Sequence, residues 1–268
     1  MTRIVGVHGV GNFDRYPSVD DAAIDLAWIW QRALLDHMPA GTVDLRMAYY
    51  ADQVRPAPSL AAAVGQQLSG ANFGQLAAWA DALGAPSDAG RGHAALPPFV
   101  DWLAKRKDLD NALVRSFVTT FIGEVDRYLG AAETRLAVRR TVEAQVERHR
   151  PDVLIAHSLG SVVAYEALVA RPDLHVDLFI TVGSPLALDT VVYDRLPHDG
   201  EDNPSRRPNV GRWVNVADAK DLAAVPRSLA ARFDVDTEHQ EDLGLTALPS
   251  AVDYLRTPAV GALLATAA

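Results

Sequence analysis

The sequence predicts an α/β fold with a mostly parallel central sheet and helices on both faces, and three features carry that reading. Residues 3–49 run strand, helix, strand; the same rhythm returns after Pro151; and the stretch between has helical spacing with no strand signal. With 268 residues, 49% of them hydrophobic, the chain suffices for one large core or a core plus a cap, and not for several independent domains. A single domain over 1–268 is expected, with a helical insertion at about 51–130.

Arg3 to Val7 reads as a short buried strand, ended by Gly9, Gly11 and Asn12. Ser18 with Asp21 three residues on is a capping-box signal for a helix whose apolar face is Ile24, Trp28 and Leu35 and which ends near Pro39 and Gly41. Val43, Leu45, Met47 and Tyr49 then alternate as a strand. From Ala51 to about Gly130, segments rich in Ala, Leu and Gln are separated by turns at Gly84–Pro86 and Gly90–Gly92. This insertion either caps the sheet or packs on its flank. Leu136, Val142 and Val146 suit a helix leading to Pro151. Asp152–Ala156 reads as a strand, Ser161–Ala170 as a helix, and Asp177–Val182 and Arg212–Val216 as further strands. From about Ser250, Val252, Leu255 and Val260 have helical spacing that Pro258 breaks or restarts. No internal repeat is found.

The balance of 25 Lys plus Arg against 34 Asp plus Glu gives a formal charge of -9, with no basic run of the kind a phosphate backbone requires, so nucleic acid is not an expected partner. The absence of cysteine removes disulfides, a thiolate nucleophile and Cys-based metal sites. The histidines show no metal-ligand spacing, and neither a metal nor a cofactor is expected. Met1 to Val7 runs straight into strand pattern without the features of a secretory signal, and no apolar run reaches bilayer length. Cytoplasmic residence is the expectation.

Residues 153–161, Val-Leu-Ile-Ala-His-Ser-Leu-Gly-Ser, place Ser158 between an apolar strand and a helix. A nucleophile at such a sharp turn needs small neighbours two residues away on either side, which Ala156 and Gly160 supply; alanine stands where the motif usually has its first glycine. The helix starting near Leu159 aims free N–H groups and the positive end of its dipole at the same point, so negative charge developing there is stabilised. The plainer alternative for Ser158 is a helix-capping serine. His157 should point away from the hydroxyl and reads as a packing or site-lining residue.

Four segments together resemble the α/β-hydrolase superfamily, in particular serine esterases, lipase-like proteins and related serine peptidases. They are Val7-His8-Gly9-Val10-Gly11, Ala156-His157-Ser158-Leu159-Gly160, Val182-Gly183-Ser184-Pro185-Leu186 and Trp213–Asp221. The resemblance covers the chain outside the inserted region. It implies acyl transfer to water through an acyl-enzyme on Ser158, with carboxylic esters as the favoured small-molecule acyl substrate and peptidase or thioesterase activity as alternatives. It also implies an oxyanion hole from the backbone N–H groups of Val10 and Leu159. His8 is expected to be a hydrogen-bonded loop residue, and Ser184 a turn residue.

In enzymes of this kind nucleophile, acid and histidine follow in that order. Asp221, after the Arg212–Val216 strand, is the implied acid because Asp221-Leu222 followed by Val225-Pro226 matches the family step; Asp218 is its close competitor. The histidine that follows is His239, flanked by Asp236, Glu238 and Glu241, surroundings that equally suit an exposed loop. His93 and His198 break the chain order. Related sequences place their histidine just before a final helix with a Tyr-Leu step, where this chain has Pro249-Ser250 ahead of Tyr254-Leu255. The contrasting reading is therefore a non-catalytic binding scaffold with an incomplete triad. Phe73, Trp79, Trp102, Phe117 and Phe121 in the insertion would suit an apolar acyl group if it caps the site, and otherwise are core.

Overall fold

The computed structural model describes the whole chain except residues 14–17, 40, 56–69, 87–95, 198–205, 245–247 and 268. The Gly90–Gly92 turn, His93 and His198 lie outside the described residues, as does the side chain of Phe73. In chain order the elements are β1 (Thr2–Val7), α1 (Val19–Leu34), β2 (Val43–Ala48), α2 (Ala51–Val54), α3 (Gly70–Ala82), α4 (Leu96–Lys107), α5 (Asn111–Gly130), α6 (Ala132–His149), β3 (Val153–His157), α7 (Leu159–Ala170), β4 (Val176–Val182), β5 (Val210–Asp218), β6 (Thr237–Glu241), α8 (Ala251–Leu255) and α9 (Pro258–Ala267). Among the described residues no helix is long and apolar enough to cross a membrane.

The six strands form one all-parallel sheet in the order β2-β1-β3-β4-β5-β6. Apolar residues at alternate strand positions face opposite ways and nucleate two cores. Val5, Val7, Leu154, Ala156 and Phe179 pack with α3 to α7, while Ile4, Val153, Ile155, Ile180 and Val214 pack with α1, α8 and α9. The chain leaves β1 toward one edge through α1 and leaves β3 toward the other through α7. The strand order thus reverses between β1 and β3, and the loops that follow them open a crevice at their carboxyl ends.

The strands read from sequence are present with boundaries shifted by a residue or two, and Pro258 restarts rather than ends the last helical segment. Ser18 caps α1 as expected, its side chain accepting the Asp21 amide at 3.1 Å. Two expectations are corrected. Ile24 and Trp28 are 67% and 56% exposed and Leu35 is exposed too, so the stripe taken as the apolar face of α1 looks outward. The face against the sheet is Ala22, Leu26, Ala27, Trp30, Ala33 and Leu34, because three alanines let the helix axis approach the strands. The second correction is β6: around His239, whose surroundings equally suited an exposed loop, residues 237–241 form an edge strand. It pairs with β5 through backbone hydrogen bonds although its side chains, Thr-Glu-His-Gln-Glu, carry no apolar alternation.

Candidate active site

Ser158 stands at the β3–α7 turn with φ 50° and ψ −128°, a conformation that L residues rarely adopt. Surrounding bonds hold it there. The Ser158 amide donates to the Val182 carbonyl at 3.1 Å, and its own carbonyl accepts the Ser161 amide at 2.9 Å and the Ser161 hydroxyl at 2.6 Å. Ser161 is fixed in turn by Ser184 at 2.7 Å, which makes Ser184 a buried turn brace, as expected. Gly160 is required by contact: a Cβ there would collide with the carbonyl oxygens of Val7 and His8, so α7 starts directly on the end of β1. Ser158 is 3% exposed, and its Oγ is buried without a hydrogen-bond partner among the described residues.

The loop after β1 lies against this turn. A Cβ on Gly9 would fall 2.8 Å from both Ser158 Cβ and His157 Nδ1. His8 is a braced loop residue: Nδ1–H donates to the Gly9 carbonyl at 2.8 Å and Nε2 accepts the Tyr50 amide at 3.1 Å, which occupies both ring nitrogens. The Tyr50 hydroxyl donates to the His8 carbonyl at 2.6 Å, and Asn12 Nδ2 donates to the Gly9 carbonyl at 2.9 Å. The Val10 amide makes no hydrogen bond among the described residues, and the Leu159 amide, at the first position of α7, has no intrahelical acceptor. The loop that carries the Val10 amide and the first turn of α7 that carries the Leu159 amide thus both border the serine turn.

Asp221 lies in the loop after β5, buried, close enough to Gly183 that a side chain at 183 would strike its carboxylate. Gly183 follows Val182, whose carbonyl binds the Ser158 amide, so the acid stands one strand from the serine. Its Oδ1 accepts the Ala223 amide at 2.8 Å and its Oδ2 accepts the Tyr254 hydroxyl at 2.7 Å. Burial pushes the carboxyl up to about 6 against the pull of these donors. Asp218, the competitor, spends its carboxylate on backbone, accepting the Lys220 and Leu243 amides at 2.7 Å each. That is loop-building work, and between the two Asp221 is the one that keeps a side-chain partner.

His239 is not brought to Ser158. His157 is level with Val182, Val182 with Val216, and Val216 with His239, so the two histidines sit three strand spacings apart, about 14 Å. An imidazole does not span that gap, and β6 is hydrogen-bonded along its length rather than free to swing. The position before the last helices, where the resemblance puts a histidine, holds Pro249-Ser250. Ser250 caps α8 and borders, with Gly9, Val10 and His157, a cavity of about 180 Å³. His157 faces Tyr254, ring centroids 6.2 Å apart, and burial, with His8 nearby, lowers it to about 4, so it is neutral at physiological pH. No described histidine hydrogen-bonds the Ser158 hydroxyl.

The insertion reaches the loops at the carboxyl edge of the sheet. Trp79 Nε1 on α3 donates to the Leu222 carbonyl at 3.0 Å and Lys107 Nζ on α4 donates to the Ala219 carbonyl at 2.9 Å, so both helices pin the Asp221 loop. The same helices also fill one face of the sheet: Trp79, Phe99, Phe117 and Phe121 pack in a cluster continuous with that core. Trp79, Phe99 and Phe121 are fully buried, which makes them core in this structure.

Compared with protein-family models, curated proteins and solved structures, the chain matches none. The site therefore rests on its own geometry. Sequence reading missed Tyr254 as the partner of Asp221 and missed Glu124, which is fully buried on α5 and accepts the Gly11 amide at 2.8 Å. Glu124 does leave a trace in the sequence, as an acid within the buried stripe of Val118, Phe121, Ile122 and Val125. Tyr254 reads as any core aromatic.

Proposed function

We propose that this chain is a serine hydrolase of the α/β-hydrolase type that cleaves carboxylic esters through an acyl-enzyme on Ser158. The observation that carries the reading is the strained backbone of Ser158, held by three hydrogen bonds at the crevice between β1 and β3 with its hydroxyl left unpartnered among the described residues. Strain maintained around an unsatisfied nucleophile is a cost that a purely structural turn has no reason to bear. In the first step the Ser158 Oγ–C bond forms, the C–OR bond breaks, and the hydroxyl proton goes to the departing alkoxide through water. In the second, water adds to the acyl carbon, the Oγ–C bond breaks and a proton returns to Ser158. The Val10 and Leu159 amides hold the oxyanion in both steps. Asp221 is the acid of the site, and the chemistry needs no cofactor.

The second reading is a binding scaffold that presents the same turn without turnover. It is favoured by the Tyr254 hydroxyl on Asp221, where a triad would present a histidine, and by the distance to His239. A fluorophosphonate probe followed by steady-state hydrolysis of a p-nitrophenyl ester series separates the two. Stoichiometric labelling of wild type and of His239→Gln, none of Ser158→Ala, together with turnover, is the result the hydrolase reading expects. A folded wild-type protein that neither labels nor turns over belongs to the scaffold reading.

A further inference from the structure

Glu124 is a buried acid that the reaction described above does not use. Its Oε1 accepts the Gly11 amide at 2.8 Å, while its Oε2 is buried and has no hydrogen-bond partner among the described residues. Gly11 follows Val10 in the loop whose Gly9 packs directly against Ser158, and the Val10 amide makes no hydrogen bond among the described residues. The remaining bonds of this loop come from elsewhere: Tyr50 holds the His8 carbonyl, Asn12 the Gly9 carbonyl, and the Tyr49 hydroxyl the Asn12 carbonyl at 2.8 Å. Glu124 is thus the insertion's own hold on the loop.

Resting on the hydrolase reading, we infer that Glu124 is a positioning residue for the oxyanion donor: its carboxyl anchors Gly11 and so sets the Val10 amide against Ser158. A neutral acid can accept the Gly11 N–H without placing charge near the developing oxyanion. An ionised one keeps the anchor but sets an anion in a buried site close to the charge that must form, and repels it.

The surroundings keep Glu124 neutral at pH 7. Burial pushes its carboxyl up to about 8, opposed only in part by the Gly11 amide. The charged and titratable groups packed about it are engaged with other partners. Burial, and then Glu124 itself, holds Tyr50 well above the usual tyrosine range. His8 accepts at Nε2 and donates at Nδ1, so it is bound as the neutral ring. One turn along α5, Tyr128 donates to Glu166 of α7, which pairs with Arg135 of α6. Asp126 on the same helix is engaged by Gln75 of α3 and by Arg195.

The test follows the rate of Ser158 phosphonylation by a fluorophosphonate and the NMR shift of the Gly11 amide from pH 6 to 10, in wild type, Glu124→Gln and Glu124→Ala. In wild type the Gly11 shift is expected to titrate with a midpoint near 8, and the labelling rate to fall about tenfold between its neutral-pH value and pH 9, where the acid is mostly ionised. Glu124→Gln, whose amide oxygen accepts the same N–H, should show a flat Gly11 shift and no alkaline fall. Glu124→Ala, without the anchor, should label more slowly than Glu124→Gln at every pH. An alkaline fall that persists in Glu124→Gln, or a Gly11 shift that does not titrate in wild type, overturns the proposal. If Gly11 titrates and Ser158 labels at no pH, the oxyanion role is overturned, the fault lies with the hydrolase reading, and the anchor itself stands.

Discussion

At Ser158 two unfavourable terms coincide, a positive φ and a buried hydroxyl with no partner. Each costs on the order of 1–3 kcal/mol. Replacing the residue with glycine removes the hydroxyl and the Cβ that makes the conformation unfavourable, and adds only the entropy of a freer unfolded chain. Ser158→Gly is therefore expected to raise unfolding stability by about 1 kcal/mol while abolishing probe labelling, and urea denaturation checks it. A loss of more than about 1 kcal/mol would mean that the hydroxyl has a structural partner after all. This residue was legible in sequence because the elbow is local: strand, small residue, serine, glycine and helix are contiguous. Glu124 and Tyr254 act across 113 and 33 residues respectively, on Gly11 and Asp221, and no local pattern announces such pairings.

At the scale of single elements, α1 and β6 are where sequence patterns misled, for different reasons. Helix α1 carries two apolar stripes, and periodicity alone does not say which one meets the sheet. The alanine-containing stripe wins because close packing favours the smaller residues there. Trp30→Ala should accordingly cost about 3–5 kcal/mol, whereas Trp28→Ser should stay within about 0.5 kcal/mol of wild type. Thermal or urea unfolding of the two variants decides it, and equal losses would refute the assignment of faces. Strand β6 has no apolar alternation because it is an edge strand with side chains only partly covered; its identity comes from the β5 backbone it pairs with. That pairing is also what carries His239 away from the serine.

Over the whole molecule, the two buried acids of the site give stability a common dependence on pH. Glu124 rises from 4.5 to about 8 and Asp221 from 3.8 to about 6, in both cases chiefly through burial. The folded state therefore holds protons that the unfolded chain releases. Their contribution is fully present below about pH 4 and is lost as pH rises, through about 6 for Asp221 and about 8 for Glu124. Exposed carboxylates held down by arginine, Asp152 by Arg3 and Asp173 by Arg171, act in the opposite sense but are screened by solvent. Unfolding free energy is expected to fall by on the order of a few kcal/mol between pH 5 and 9, with Glu124→Gln removing the portion above pH 6. Denaturant midpoints across that range measure it, and a flat profile in wild type would count against both shifts.

The order of strands and helices, the placement of Ser158 between β3 and α7, and the glycine at position 160 follow from contiguous residues, because hydrophobic period and turn chemistry act over a few positions. The strand order, the reversal between β1 and β3 that brings the Val10 loop to Ser158, and the partner of Asp221 depend on contacts between distant segments. The same holds for His239, the only histidine after Asp221 in the chain, which the register of four neighbouring strands carries about 14 Å from His157, the neighbour of the serine. Chain order constrains which residues come next; only the packed sheet decides which of them meet, since register and layer are set by burying two faces at once.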